Sequence, residues 1–181
     1  MKKQFRADIR KRRDELTKKE IKEKSSIIKD RLFSLPEYKK AKKIVYYASF
    51  GSEVDTHDMI KESLSSKKIV VPKVKGHELV LSRIHSFDEL SHGKYNILEP
   101  SEIREIDEKK VDVIIVPGVV FDKKGYRIGY GKGYYDKLLH RFGHAVKIGL
   151  AFDMQIVDSV PKEEHDIKMD IVITEKRVMI F

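Results

Sequence analysis

One segment of the chain concentrates the residues that could bind phosphate groups. Between residues 117 and 136 lie five of the ten glycines in the sequence: Gly118, Gly125, Gly129, Gly131 and Gly133. Glycine lets backbone N–H groups turn toward an anion with no side chain in the way. Arg127 and Lys132 add positive charge, and Asp136 adds a hard carboxylate oxygen suited to Mg²⁺. Residues 125–136 are therefore predicted to bind the phosphates of a nucleotide or another anion.

This segment matches neither common nucleotide-binding fingerprint. Residues 129–133 lack both the Gly-Lys-Ser/Thr ending of a Walker loop and the G-x-G-x-x-G spacing of a dinucleotide site. The glycines could instead serve only tight turns, with Tyr134 and Tyr135 packed in the core. Three charged groups among five glycines favour a binding role over packing.

The elements around this segment place it where ligands bind. Residues 111–116 form the strongest strand pattern in the chain, and a helix is expected over about 133–142. In an open α/β sheet, ligands bind beyond the carboxyl ends of the strands. The N-terminal amides of a following helix also favour phosphate. The glycine segment connects these two elements, which makes it the candidate site.

The remaining patterns predict alternating helices and strands. Helical spacing covers the first 35 residues, interrupted by a capping box at Thr17–Glu20 and closed by Pro36. Strands are expected at 44–48, 69–71, 78–84 and 146–151, a helix from Asp55 or Thr56 to about 66, and a hairpin over 170–174 and 177–180. We therefore predict a single α/β domain over 1–181. It has a Rossmann-like sheet, mostly parallel in the centre, with helices on both faces, an N-terminal helical segment and a C-terminal hairpin.

Composition and charge limit the alternatives. The chain has no cysteine, which excludes disulfides and thiolate chemistry, and it has no apolar run of the roughly 18 residues that span a bilayer. Without a signal-peptide pattern, a cytoplasmic protein is expected. Residues 1–43 hold 17 Lys or Arg against 7 Asp or Glu, a net +10, whereas the rest holds 21 against 22, a net −1. This basic segment is either a solvated helical face or a surface for a polyanion.

The central segment also carries a resemblance. Residues 117–136 resemble the signature of the 5-formyltetrahydrofolate cyclo-ligase family, whose members are also called methenyltetrahydrofolate synthetases. Residues 2–6 look like that family's basic ATP contact, Glu53 and Thr56 like its folate loop, and residues 164–170 like its C-terminal acidic motif. The match runs in the same order along nearly the whole chain. Residues 75–110 carry little that matches.

The resemblance implies an activity and a set of site residues. The family converts 5-formyltetrahydrofolate and MgATP into 5,10-methenyltetrahydrofolate, ADP and phosphate. By resemblance, ATP would contact Lys2, Lys3, Gln4, Phe5 and Arg6, together with Arg127, Ile128, Gly129, Tyr130, Gly131, Lys132, Gly133, Tyr134 and Tyr135. Folate, with one or more glutamates in its tail, would contact Ala48, Glu53, Tyr130, Gly131, Lys132, Gly133 and Tyr134. Asp136 and Asp166 would bind Mg²⁺. Position 130 is Tyr where some members carry Arg.

Roles within this set follow from side-chain chemistry. Lys132 is the candidate catalytic contact to the γ-phosphate, with Arg127 and Arg6 as further clamps. Glu53 is expected to accept hydrogen bonds from N–H groups of the pterin ring. Tyr46, Tyr47 and Phe50 lie near the proposed folate loop; they could line its pocket, but core packing is the favoured interpretation.

Two other functions compete with this interpretation. The basic segment could bind nucleic acid, although its aromatic residues are too few for a stacking platform, which disfavours a nucleic-acid partner. Alternatively, a different ATP-dependent kinase or ligase could share the same loop and act on another substrate. We expect a monomer with no membrane partner.

Overall fold

The computed structural model describes residues 1–181, which fold into five α-helices and twelve strands. The helices are α1 (Lys2–Asp14), α2 (Lys18–Ser34), α3 (Pro36–Lys40), α4 (His57–Ser63) and α5 (Tyr134–Arg141). The strands are β1 (Lys43–Val45), β2 (Lys68–Lys75), β3 (Glu78–Ile84), β4 (Leu90–His92), β5 (Leu98–Pro100), β6 (Val113–Val116), β7 (Val120–Asp122), β8 (Arg127–Ile128), β9 (Val146–Leu150), β10 (Ile156–Val157), β11 (Ile171–Ile173) and β12 (Val178–Ile180).

Seven strands form the central sheet in the order β12-β11-β9-β6-β1-β2-β3. The five inner strands run parallel, and the two edge strands, β3 and β12, pair antiparallel with their neighbours. The predicted parallel centre and C-terminal hairpin are confirmed. Strand β6 lies in the middle, paired with β1 on one side and β9 on the other, as its continuous apolar sequence indicates.

The two faces of β6 supply two separate cores. Alternate side chains of a strand point to opposite faces, so Val113 and Ile115 join the core built by α2, α3 and α4. Ile114 and Val116 join the core that contains Leu138 and Leu139 of α5. Helices therefore cover both faces of the sheet, which confirms this part of the prediction.

The N-terminal helices follow the predicted signals closely. The Thr17 hydroxyl accepts from the Glu20 N–H at 3.1 Å, and the Glu20 carboxylate accepts from the Thr17 N–H at 2.8 Å, so the capping box starts α2. Pro36 does not simply end the helical segment. It occupies the first turn of α3, where a backbone N–H would have no partner within the helix, so proline loses no hydrogen bond there.

Some predicted elements have different extents. The strand expected over 44–48 ends at Val45, because the chain turns away from the sheet once the Tyr46 N–H has bonded to the Val70 carbonyl. The helix expected to reach residue 66 ends at Ser63. Two small sheets, β4-β5 and β10-β7-β8, were not predicted, because strands of two or three residues carry no periodicity. No helix is both long and apolar enough to cross a membrane.

Candidate active site

A cavity of about 580 Å³ opens beyond the carboxyl ends of β1 and β6, a volume typical of small-molecule sites. Its walls come from one face of α1, the β1–α4 loop, strands β2 and β3, the β4–β5 loop, the segment from β8 into α5, and the residues before β11. The central glycine segment thus lies where the strand order predicted. The cavity also joins it to parts of the chain that are distant in sequence.

Most of the site residues expected from the sequence line this cavity. They are Lys2, Arg6, Ala48, Glu53, Arg127, Ile128, Gly129, Tyr130, Gly131, Lys132, Gly133, Tyr134, Tyr135, Asp136 and Asp166. Lys3, Gln4 and Phe5 do not, because residues four apart share a helix face and Lys2 and Arg6 occupy the face toward the cavity. Gln4 bonds to Asp8, and Phe5 packs against a small core below β7 and β8. ATP contact by these three residues stays a prediction.

Several lining residues were missed. Arg10 lies one turn beyond Arg6 on the same face of α1, a spacing that could have revealed it. Strand β2 contributes Pro72 and Val74. The unmatched middle of the chain, residues 75–110, contributes a further group: Leu79, Lys94, Tyr95, Ile97, Leu98 and Glu99. Pro117, Glu163 and His165 complete the lining.

The three aromatic residues near the folate loop separate into two groups. Tyr46 is fully buried, and its hydroxyl bonds to Tyr38 and Ser63, so the core interpretation is confirmed for it. Tyr47 belongs to the same core and also lines the cavity, so the core interpretation is confirmed for it as well. Phe50 is exposed and lines the cavity, and for it the core interpretation was wrong. The Thr56 hydroxyl donates to the Tyr47 carbonyl at 2.6 Å and thereby holds the start of this loop.

Glu53 is a buried acid with an ordered pair of donors. Glu53 is only 5% exposed. The Tyr130 hydroxyl donates to Oε1 at 2.7 Å, and the Phe50 N–H donates to Oε2 at 2.9 Å. Burial raises the pKa of Glu53, and these two hydrogen bonds, together with the charge of Arg13, oppose that rise. Each carboxylate oxygen keeps capacity to accept a further hydrogen bond from a ligand.

The glycines of the central segment bring α1 against the loop. Gly131 and Gly133 have φ of +97° and +71°, a region that favours glycine. Arg6 donates from Nε to the Gly129 carbonyl at 2.7 Å, and its guanidinium carbon would lie 3.5 Å from a Cβ at Gly131. The loop therefore requires glycine at these two positions for its backbone conformation, whereas a Cβ at Gly131 would meet Arg6 only at an ordinary van der Waals distance.

Arg127 is a buried cation beside the cavity. Its side chain is 4% exposed, and Nη2 donates to Asp136 Oδ1 at 3.0 Å. Burial lowers the pKa of Arg127, and Asp136 opposes that effect. The buried Nε has no hydrogen-bond partner within the protein. A buried donor without a partner next to a cavity is suited to a ligand acceptor such as a phosphate oxygen.

A second charged group lies at the rim. Lys2 Nζ is 3.1 Å from Asp166 Oδ2 and 3.5 Å from Glu163 Oε1. Potential ligand atoms of Glu163, His165 and Asp166 lie within 4.8 Å of one another, a group that does not include Asp136. Burial would raise the pKa of Asp166, but the Glu163 N–H and Lys2 outweigh it and lower that pKa. Hard carboxylate oxygens at both Asp136 and Asp166 fit the preference of Mg²⁺.

Lys132 is an exposed cation at the mouth of the cavity. It forms no ion pair with the protein, and its Nζ lies 5.7 Å from the ring centroid of Tyr95. Tyr95 and Asn96, in the β4–β5 loop, adopt left-handed φ values of 60° and 57°, which cost energy for residues other than glycine. Strain of this kind is concentrated at ligand sites, which supports a binding role for this loop.

Comparisons with known proteins agree with one another. Residues 1–175 match the model of the 5-formyltetrahydrofolate cyclo-ligase family. The chain is 31% identical to the 5-formyltetrahydrofolate cyclo-ligase of Escherichia coli K12 over 178 residues, which is 94% of this chain and 98% of that protein. It is also 31% identical to the mouse 5-formyltetrahydrofolate cyclo-ligase over 186 residues, which is 94% of this chain and 92% of that protein. The NMR structure of the Aquifex aeolicus 5,10-methenyltetrahydrofolate synthetase superposes with a TM-score of 0.90 at 40% identity, covering 99% of this chain and 92% of that one.

Proposed function

The chain belongs to the 5-formyltetrahydrofolate cyclo-ligase family, and from that premise we propose that it converts 5-formyltetrahydrofolate and MgATP into 5,10-methenyltetrahydrofolate, ADP and phosphate. The observation that carries the proposal is a single cavity with two chemically different sides. Arg6, Arg127 and Lys132 supply cations at the glycine segment, and buried Glu53 supplies a hydrogen-bond acceptor within the same cavity. A nucleotide and a polar ring system could therefore bind next to each other.

The reaction must make a poor leaving group into a good one. The formyl oxygen on N5 attacks the γ-phosphorus of ATP, the bond to ADP breaks, and the oxygen becomes a phosphate ester. N10 then attacks the formyl carbon and loses its proton, and the C–O bond breaks to release phosphate as the ring closes. Because little covalent work falls to the protein, positioning and charge neutralisation are its main contributions.

The role that we propose for each residue follows from its place in the cavity. Lys132, exposed and without an ion-pair partner, is proposed to bind the γ-phosphate. Arg127, with its unpartnered Nε, and Arg6, held against the loop, clamp the other phosphate oxygens. Asp136 and Asp166 would hold Mg²⁺, which when bound neutralises charge on the phosphates.

Glu53 has the complementary role. Its two oxygens face donors of the protein and keep free lone pairs, so it can accept from the N–H groups of the pterin ring. Tyr130, at a position where some family members carry Arg, meets Glu53 instead of offering a cation to phosphate. Ala48 and the aromatic rings of Tyr47 and Phe50 would supply apolar contact around that ring.

The test is incubation of the purified protein with 5-formyltetrahydrofolate and MgATP. We expect near-ultraviolet absorbance of the methenyl product to rise, with one ADP formed per product, and no rise when ATP is omitted. ATP hydrolysis that responds to no reduced folate would refute the proposal. ATP consumption with another substrate in a folate panel would favour a related ligase.

We propose that the enzyme acts as a monomer, that it works in the cytoplasm, and that it accepts folates with a polyglutamate tail. Analytical ultracentrifugation, cell fractionation and a comparison of mono- and triglutamate substrates would test them in turn. A nucleic-acid partner is not proposed, because Lys2, Arg6 and Arg10 of α1 line the cavity and the basic segment has too few aromatic residues for a stacking platform.

A further inference from the structure

Arg13 is a buried cation that has no place in the proposed chemistry. It lies near the end of α1, is 3% exposed and does not line the cavity. It forms no ion pair. Nε donates to the Ser52 hydroxyl at 3.1 Å, and Nη2 donates to the Tyr130 hydroxyl at 2.9 Å. Burying a charge is costly unless another group compensates for it. A buried arginine without a direct ion pair therefore indicates a compensating negative charge nearby.

The Tyr130 hydroxyl connects Arg13 to Glu53. While it accepts from Arg13, it donates to Glu53 Oε1 at 2.7 Å. Burial raises the pKa of Tyr130 far above its ordinary value, so the phenol keeps its proton and remains a donor. The charges of Arg13 and Glu53 are thus connected through one intervening phenol, in a buried region where charges interact strongly.

The groups that face Glu53 show why this connection is needed. Tyr47 after β1, Tyr130 in the loop and Tyr135 on α5 face it with phenols, and Arg13 on α1 brings the positive charge. The phenols and the burial do not supply a counter-charge to a carboxylate. Without Arg13, the equilibrium of Glu53 would shift toward its protonated form.

We propose that Arg13 is a positioning residue for folate, which acts through the Tyr130 hydroxyl to keep the Glu53 carboxylate ionised and oriented as an acceptor. The proposal rests on the proposed function for the identity of the ligand, but not for the connection itself. A protonated Glu53 would turn one acceptor oxygen into a donor and would no longer match a pterin N–H. Arg13 therefore affects substrate affinity without contacting the substrate.

A purely structural role for Arg13 makes different predictions. In that case Arg13 would only fasten α1 to the β1–α4 loop through Ser52, which itself donates to Asp14. Its loss would then lower thermal stability and affect the two substrates alike. Positioning of Glu53 instead affects folate more than ATP, and it does so in a pH-dependent way.

The first experiment compares Arg13→Met with Arg12→Met. Arg12 is the exposed neighbour on the same helix and does not line the cavity, so its variant should behave as wild type. Arg13→Met should raise the KM for 5-formyltetrahydrofolate about tenfold or more, the effect of losing a hydrogen bond to a charged group. The KM for ATP should change less than threefold, and the acid limb of kcat/KM should move to higher pH. Arg13→Lys, which keeps the charge, should move that limb back toward wild type. Equal changes in both KM values, or an unmoved acid limb, would overturn the proposal.

A second variant tests the connection with Arg13 in place. Tyr130→Phe removes only the bridging hydroxyl, so it should raise the KM for folate and shift the acid limb as Arg13→Met does. The double variant should then be no worse than the more affected single variant, because both changes break the same connection. Independent, multiplicative effects would show that Arg13 does not act through Tyr130.

A ligand-free measurement separates this proposal from the proposed function. The side-chain carboxyl carbons of the glutamates can be titrated by ¹³C NMR, with the Glu53 signal assigned by its loss in Glu53→Gln. Arg13→Met and Tyr130→Phe should each raise the pKa of Glu53 in the free protein. This result would hold even if the wild-type protein made no methenyl product. An unchanged pKa of Glu53 in both variants would refute the connection, whatever the substrate.

Discussion

Replacing Gly129 by alanine tests whether the position of Arg127 matters for catalysis. Gly129 does not have a positive φ, so an alanine there is not strained by its backbone. Its Cβ would, however, lie 2.7 Å from Arg127 Nη1, whereas ordinary contacts begin at 3.4 Å. The guanidinium must retreat by about 0.7 Å, the difference between these distances. Arg127 is 4% exposed, so the retreat cannot be into open solvent.

A displacement of this size is larger than a charge-assisted hydrogen bond tolerates, so the 3.0 Å bond from Arg127 Nη2 to Asp136 should be lost. Loss of a hydrogen bond to a charged group costs about 1.5–3 kcal/mol, which is roughly 10- to 150-fold in rate. We therefore expect kcat for methenyl formation to fall about 100-fold, measured by absorbance at saturating MgATP and folate.

Two controls make the result specific to Arg127. A Cβ at Gly143 would meet no atom within 4 Å, and the φ of Gly143 is not positive, so an alanine is not strained there. Gly143→Ala should therefore retain the wild-type kcat. In an Arg127→Ala background, Gly129→Ala has no guanidinium to displace and should lower kcat no further. If Gly129→Ala alone keeps kcat within about threefold of wild type while the fold is intact by circular dichroism, the reasoning about Arg127 is wrong.

Three further predictions concern single side chains. Lys132→Ala should lower ATP-dependent methenyl formation at least about 100-fold, because a γ-phosphate contact made in the transition state is lost; near-normal turnover would remove Lys132 from the mechanism. Asp136→Asn should raise the Mg²⁺ concentration for half-maximal activity about tenfold or more, and an unchanged titration would argue against a ligand role. The hydrogen bond from Arg177 lowers the pKa of Asp153 below its ordinary value of 3.8. Burial opposes this effect, and the hydrogen bond from Thr174 adds to it. The ionised carboxylate therefore stabilises the fold above that pH, and this stability is lost as the pH falls through the folded-state pKa. Asp153→Asn should accordingly lower Tm at pH 7, with a gap from wild type that closes toward pH 2; a gap that is constant with pH would contradict the sign of the pKa shift.

The parts of the fold that could be predicted are those that rest on local signals. The Thr17–Glu20 capping box is complete within four residues, and its hydrogen bonds formed as expected. The apolar run at β6 indicated a strand covered on both faces, and its alternate residues supply two different cores. In contrast, β7 and β10 pair across more than thirty residues of sequence, at Phe121 with Ile156. A strand of two or three residues gains its stability from that distant partner, which no local pattern reveals.

The site divides in the same way. The glycine segment could be predicted because its backbone conformation favours glycine, and glycine is visible in the sequence. Gly131, with a φ of +97°, is an example. Glu53 was found only through resemblance, since an isolated acid in a loop has no chemical signature. Lys94 and Tyr95 were missed, because their position at the cavity depends on how the β4–β5 loop packs beside the sheet. The left-handed φ of Tyr95 marks that loop as unusual, but only once the backbone is known.

The basic N-terminal segment takes on a more specific meaning in the structure. Lys2, Arg6 and Arg10 recur every four residues along α1 and face the cavity, while Ile9 packs against the small sheet beneath the loop. Arg13 continues the cationic side one turn further, inside the protein, where it reaches Tyr130. In the two proposals made above, the start of the helix supplies cations for phosphate and its end supplies a counter-charge for Glu53. In the proposed function, this one helix links the nucleotide side of the cavity to the folate side. It holds seven Lys or Arg against two Asp or Glu, a net +5 that is half of the +10 found in residues 1–43.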